Sequence, residues 1–482
     1  MSRPVMVRPR GGDTEKRREE GAASSPGPRV PRGARWRRED PRALALDVLR
    51  RVEAAGAYAN LLLDARLRQG GLSPQDRALA TELAYGVLRW QGRLDWILAG
   101  VLDRPIHALD PPVRQVLRLG AYQLRILSRI PDFAAVDEAV RLIRAAGAGR
   151  SAGYVNAVLR ELTRRPARPE IDPLRDPVGY WSTAGSHPRW LAERWVARLG
   201  AEVAGRLMAA NNTVPPLSVV TNTRAAGVEE VRRALTAAAP SLEPGRFHPG
   251  VFHLRGAGGP ADLPGFREGW LIPMDEAGVL PVLALDLAPG LRVLDACAGG
   301  GGKSALIAAG VGPDGEVLAV DRSQRAVRRL ETAISRLDLS AVKPSLADAR
   351  TAGAAWPGQF PRVLLDAPCT GLGTIRRRPE IKWRRRPEDI TSAAATQAEL
   401  LAGVAGAVAE GGLLVYCTCS LEPEETDAVI ADFLALHQEF HLEGPGPVVP
   451  GLELSDADGL LRAWPHRHGT DGFFVARLRR DR

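Results

Sequence analysis

Four cysteines occur in the chain, at positions 297, 369, 417 and 419, and two of them stand where a thiol can do chemistry. Asp366-Ala367-Pro368-Cys369 closes one apolar run of strand length, and Thr418-Cys419-Ser420 closes another. A thiolate in such a place can add to an electron-poor ring carbon and later be expelled, if a second group handles the proton. Cytosine is a ring that needs this help. Its C5 is too weak a nucleophile to take a methyl from a sulfonium until a thiolate has added at C6 and turned the ring into an enamine. The reaction asks for one cysteine, a proton acceptor for C5, and an acid or hydrogen-bond donor near N3. A thiol of pKa ~8.5 is mostly protonated at neutral pH, so a cation such as Lys303 would help to form the thiolate. Residue chemistry alone lets either cysteine be the nucleophile. Cys417 reads as a buried mid-strand residue and Cys297 as a loop wall.

The second feature is Val293-Leu294-Asp295-Ala296-Cys297-Ala298-Gly299-Gly300-Gly301-Gly302-Lys303-Ser304, a strand, a glycine turn and a helix start. Glycines let the backbone approach a ligand, and free N–H groups at a helix start attract polar ligand atoms. Gly302-Lys303-Ser304 ends like a phosphate loop, but the first glycine that loop requires is Cys297. An ATPase therefore stays open as an alternative. The next strand favours a nucleoside cofactor instead: Ala319-Val320-Asp321 ends in an acid suited to ribose hydroxyls. Asp348, ending the third strand region, could meet an adenine amino group.

The elements that must position these residues divide the chain into parts. Residues 1 to 39 are rich in Arg, Gly and Pro and read as a disordered basic tail. Residues 40 to 166 show only helical periodicity, with Ser73-Pro74 as a cap and first turn, and are expected to be all-α. Residues 167 to 270 mix helical and short strand patterns, a small α+β module. Residues 271 to 482 alternate strands (Arg292 to Ala298, Glu316 to Asp321, Val363 to Asp366, Leu413 to Cys417) with helices. That is the pattern of a doubly wound, Rossmann-like α/β domain, closed by two strands near His437 and Gly472. In such a fold ligands bind at the carboxyl ends of the strands, so both cysteine sites and the glycine loop should face one crevice.

A net charge of +9 and a pI near 9.8 favour a polyanionic partner. The basic charge is nearly all arginine, with lysine only at 16, 303, 343 and 382. Arg376-Arg377-Arg378 and Arg384-Arg385-Arg386 bracket Lys382-Trp383 directly after Cys369. Arg376, Arg377, Arg378, Lys382 and Trp383 are expected to contact RNA phosphates beside a stacked or flipped base. No apolar stretch suits a membrane span or a secretory signal, and sparse cysteine use fits a reducing, cytoplasmic setting. Neither cysteine nor histidine spacing suggests a metal, and His466 and His468 are expected in a surface loop.

Taken together, Asp-Ala-Pro-Cys, the later Thr-Cys-Ser, Gly371 to Trp383, Glu422-Pro423-Glu424-Glu425 and Asp471-Gly472-Phe473-Phe474 resemble the bacterial 16S rRNA cytosine-5 methyltransferases of the RsmB/Sun/Fmu type. Asp76-Arg77-Ala78, Tyr85 to Arg89, Leu94-Asp95-Trp96 and Asn156 to Arg160 are similar to the NusB-like RNA-binding domain of that family. The resemblance runs from about residue 41 to the end. It implies a methyltransferase fold for the C-terminal domain, S-adenosylmethionine as cofactor, and small-subunit rRNA, unassembled or partly assembled, as substrate. It also implies that Cys419 is the nucleophile, that Cys369 assists product release, and that Asp366 contacts the cytosine ring. The cofactor would lie on Cys297, Ala298, Gly299, Gly300, Gly301, Gly302 and Lys303, with Asp321, Asp348 and Asp366. Two departures stand out. Gly299 and Gly300 replace the family's usual Ala-Pro, which loosens the loop, and Met274 stands where the family usually has Gln. A non-catalytic RNA-binding assembly factor is the other alternative, though a binder has no need of both Cys369 and Cys419.

Overall fold

A computed structural model of the chain describes residues 40–166, 168–444, 454 and 459–481, so the basic tail expected at residues 1 to 39 lies outside the described residues. The first part is helical throughout, with Pro41–Ala55, Ala59–Leu67, Pro74–Arg89, Gln91–Leu98, Pro111–Arg125, Asp132–Ala145 and Ala152–Arg164. Ser73 caps its helix as the sequence predicts, its Oγ accepting from the Asp76 N–H at 3.1 Å with Pro74 in the first turn. The apolar stripes meet in one core that includes Leu46, Leu83, Val87, Leu117 and Leu159.

The middle module is a four-stranded antiparallel sheet of β1 (Leu217–Thr221), β2 (Ser241–Pro244), β3 (Val251–Arg255) and β4 (Leu271–Pro273), in the order β2-β3-β1-β4. Helix Val228–Ala238 covers it through Val231 and Leu235. β4 pairs with β1, Val220 facing Ile272, so this sheet continues past residue 270, where the sequence expects a boundary. A three-residue strand is too short to show alternation. The kinked helix Arg189–Asn211 turns the other way: its Leu191, Trp195 and Leu207 pack on Leu372, Ile375, Ile381 and Ile390 of the C-terminal domain.

The C-terminal sheet contains β5 (Arg292–Ala296), β6 (Glu316–Asp321), β7 (Val342–Leu346), β8 (Phe360–Asp366), β9 (Val408–Thr418), β10 (Phe440–Glu443), β11 (Leu461–Ala463) and β12 (Phe473–Arg480). The order β10-β12-β9-β8-β5-β6-β7 is parallel from β9 to β7, with β12 antiparallel to β9 and to β10. Successive residues alternate between two cores. Val293, Leu364 and Val415 face one; Leu294, Leu365 and Leu414 face the other. Strands buried on both faces explain why these segments are continuous apolar runs. The chain leaves β5 in opposite directions toward β6 and β8. The crevice at that switch point is where this architecture places ligands. Among the described residues, no helix is long and apolar enough to cross a membrane.

Candidate active site

Strand register lines up the residues read from the sequence. Ala296 is level with Val320 on one side and Leu365 on the other, and Asp366 is level with Cys417. The glycine loop, Asp321 and Asp366 therefore leave the sheet along one edge. Three residues past Asp366 and two past Cys417, the loops converge: Cys369 Sγ lies 3.1 Å from Cys419 Sγ, both thiols being free and partly buried. The hydrogen bond between them, and then burial, push the Cys369 thiol up from its ordinary pKa.

Buried side chains from elsewhere hold this pair. The Glu425 carboxylate is fully buried, its Oε1 accepting from Thr370 N at 2.8 Å and Gln397 Nε2 at 3.1 Å. Its Oε2 accepts from the hydroxyls of Thr370 and Ser420, each at 2.5 Å. One carboxylate thus binds the residue after each cysteine. Burial raises the pKa of Glu425 while these donors oppose it. Arg385 donates to Thr370 O at 2.7 Å and Cys369 O at 3.3 Å. Gly373 donates to Cys419 O at 2.9 Å; a Cβ there would strike Gly472 O and come within 2.7 Å of Cys419 O, so only glycine fits. Trp195 Nε1 donates to Glu422 at 2.8 Å, and Arg194 pairs with the same carboxylate. Sequence reasoning names Glu425 within a family motif and Arg385 within a charged run but gives neither a part in holding the cysteines, and it does not single out Gln397. The signal available was the Pro-Glu-Glu that follows Thr-Cys-Ser by a few residues.

The glycine loop is held by its own backbone. Cys297 (φ 63°), Gly299 (φ 59°) and Gly301 (φ 80°) take the left-handed region, which is costly for the cysteine. Ala298 N–H donates to Val320 O at 2.9 Å, and Gly299 N–H donates to Asp321 Oδ2 at 3.0 Å. A Cβ on Gly300 would meet nothing within 4 Å, and Met274 covers Gly302. Lys303 Nζ is 2.7 Å from Asp366 Oδ2. Burial would lower the pKa of this lysine, but the Asp366 carboxylate overrides it and the pKa rises. Ser304 is buried and donates to Asp295 at 2.6 Å. The lysine and serine that a phosphate loop would offer to a triphosphate and its metal are thus both engaged inside the protein, which, with Cys297 in place of the first glycine, counts against the ATPase alternative. A glycine turn beside an acid at the end of β6 instead fits a nucleoside cofactor. Asp348 N-caps the turn after β7 and carries Arg350 at 2.6 Å.

Three expectations need correction. Lys303 is paired with Asp366 rather than with either chemically placed cysteine. Of the five residues expected to meet RNA, only Arg378 is exposed. Lys382 is 0% exposed, its Nζ donating to Arg89 O at 2.9 Å and Asn212 Oδ1 at 3.0 Å. Trp383 Nε1 donates to Leu88 O at 2.6 Å. Arg376 is buried against Gly469 O, and Arg377 is paired with Asp275 and Asp471. The run seats the helical domain on the catalytic one, and a charged sequence alone does not reveal which cations face protein. Finally, His466 and His468 lie in the short helix Pro465–His468, with His468 buried, rather than in a surface loop.

A doubly wound α/β domain with a glycine loop and an acid at adjacent strand ends, joined to a helical bundle, defines the class of protein. Known proteins place it further. The family described as 16S rRNA methyltransferase RsmB/F matches residues 282–479, the NusB family residues 39–164, and the RsmF/B-like ferredoxin-like domain residues 187–259. The probable ribosomal RNA small subunit methyltransferase B of Bacillus subtilis (strain 168) is 36% identical over 446 residues, covering 91% of this chain and 98% of the relative. The ribosomal RNA small subunit methyltransferase B of Pseudomonas putida is 35% identical over 447 residues, with the same coverage. Among solved structures, that of PH0851 superposes with a TM-score of 0.79 at 27% identity, covering 91% of this chain and 98% of that one. The chain belongs to the RsmB/F family of 16S rRNA methyltransferases.

Proposed function

We propose that this protein transfers the methyl group of S-adenosylmethionine to C5 of a cytosine in small-subunit (16S) rRNA, through a covalent bond between Cys419 and C6. The observation that carries the reading is the 3.1 Å approach of Cys369 and Cys419 at the crevice where the glycine loop ends. When bound, S-adenosylmethionine supplies a methyl on a positively charged sulfur. Residues 297 to 303 with Asp321, Asp348 and Asp366 would hold it. The Cys419 thiolate forms the S–C6 bond, and the ring's electron pair moves to C5, which takes the methyl. Water then takes the C5 proton, with Cys369 assisting release of the product. The C5–H electrons restore the C5=C6 double bond, and the S–C6 pair returns to Cys419. Asp366 contacts the ring, with Lys303 fixing its carboxylate. Contact with Cys419 and burial favour the neutral thiol at Cys369, which argues against attack by that sulfur and leaves it an assisting role in release. A base must leave its stack to reach a thiol at this depth, so a splayed loop or an assembly intermediate is the form of rRNA taken.

The test is transfer of labelled methyl from S-adenosylmethionine to undermethylated small-subunit rRNA, followed by nucleoside analysis. Label in 5-methylcytosine supports the reading. Label in another nucleoside overturns the cytosine chemistry. No transfer by folded, cofactor-bound protein leaves the assembly-factor alternative.

A further inference from the structure

Arg376 and Lys382 are buried and Arg377 and Trp383 half-buried, which leaves Arg378, Arg384 and Arg386 as the exposed cations of the same run, and the first two lie on one ring. The Arg378 and Arg384 guanidinium carbons are 5.8 and 4.9 Å from the centroid of Tyr58, which is 38% exposed. Exposed arginines elsewhere in the chain are commonly met by acids: Arg350 by Asp348 and Glu399, and Arg232 by Glu229. Among the described residues, neither Arg378 nor Arg384 makes an ion pair. Glu380, whose charge both feel, is itself buried and accepts from the Ala59 N–H at 3.0 Å.

Ring and cations come from different domains. Tyr58 is the N-cap of Ala59–Leu67 in the helical domain, while Arg378 and Arg384 flank the segment that Glu380, Lys382 and Trp383 lock onto that domain. The next residue, Arg385, holds the Cys369 carbonyl. Arg384 and Arg385 thus send neighbouring side chains to the Tyr58 ring and to the cysteine loop. Two guanidiniums without an ion pair beside an exposed aromatic ring match unpaired RNA, whose phosphates take the charge and whose bases stack on aromatic and guanidinium planes.

We propose that Tyr58, Arg378 and Arg384 form a two-domain clamp for the single-stranded RNA flanking the target base. This rests on the RNA methyltransferase reading, so the test separates binding from transfer. In vitro transcribed 16S rRNA is titrated by filter binding, without methyl donor, over a range of salt concentrations. The proteins compared are the full-length wild type, Arg378→Ala/Arg384→Ala, Arg378→Lys/Arg384→Lys, Tyr58→Leu and, as a remote control, Arg329→Ala. The double alanine variant is expected to bind ~10-fold or more weakly, with the salt slope reduced by about 1.4, that is ~0.7 for each lost phosphate contact. The double lysine variant should recover the slope. Tyr58→Leu should weaken binding by roughly 5- to 100-fold with the slope unchanged. Unchanged affinity and slope in both clamp variants overturn the proposal, as does an equal loss in Arg329→Ala. Wild type that binds through the clamp but transfers no methyl would overturn the catalytic reading and leave the clamp standing.

Discussion

The glycine loop after β5 and the cysteine loops after β8 and β9 lie side by side, yet different forces hold them. In the first, left-handed backbone and N–H groups bonded to the neighbouring β6 fix the shape, so nearly all the information is local. In the second, the shape comes from a carboxylate at position 425, a guanidinium at 385, a glycine at 373 and a helix some 200 residues upstream. A glycine loop built from backbone tolerates side-chain change wherever space is open. A pair of thiols in contact has no such latitude, because a small displacement of either sulfur separates them. The two regions should therefore respond to mutation differently.

The largest effect is expected at the thiol itself. Cys419→Ala should lower methyl transfer by at least ~10³-fold while leaving the fold intact, as removal of a covalent nucleophile does. A single-turnover assay beside a thermal melt checks both halves. Next comes Glu425→Gln. An amide cannot accept all four hydrogen bonds, so kcat should fall by about 10²-fold with KM for rRNA little changed, the signature of misplaced reacting groups. Glu425→Asp should recover part of that loss. An equal loss in both variants, with KM rising, would reduce Glu425 to a general structural role.

In the backbone-held region the expected effect falls on stability. Gly301→Ala would put a Cβ 2.5 Å from Leu330 Cδ1 at a φ of 80°, and should cost about 1–3 kcal/mol, read as a lower melting temperature. Gly300→Ala has open space and a negative φ, and should melt like wild type. A similar loss at both positions would mean that the loop is not locally encoded.

The last effect is a pH dependence at Asp295, beneath that loop. Burial raises its carboxyl to about 7, above the ~4 of an unfolded chain. The folded state thus holds a proton that the unfolded chain releases. The resulting stability is complete below pH ~4 and is lost as pH rises through about 7. Asp295→Asn removes the titration, so between pH 5 and 8 wild type should lose stability relative to the variant. The limit is ~1.4 kcal/mol per pH unit. A constant gap between their melting curves would contradict this.

The same division explains what could be read from the sequence. Helical periodicity placed the helices of the first domain, and apolar runs of strand length placed most of the parallel strands, because the helices bury one face and the strands both. The glycine loop, Asp321, Asp366 and both cysteines were legible since strand ends and glycine turns are local features. β4 was missed because three residues carry no periodicity. The arginine run was misassigned because burial of Lys382 and Arg377 depends on surfaces from Arg89, Asn212 and Asp275, none of them near in sequence. Glu425 was legible only as part of a family motif, and its role needs the four donors that the fold places around it.

The most direct test of the paired thiols is whether Cys369→Ala accumulates a protein–RNA adduct. Purified variant, S-adenosylmethionine and undermethylated 16S rRNA would be run on a denaturing gel, with Cys369→Ala/Cys419→Ala alongside. The account predicts a slowly migrating, nuclease-sensitive band in the single variant and none in the double. An adduct that persists without Cys419, or forms only when Cys369 is present, would reverse or remove the assigned roles.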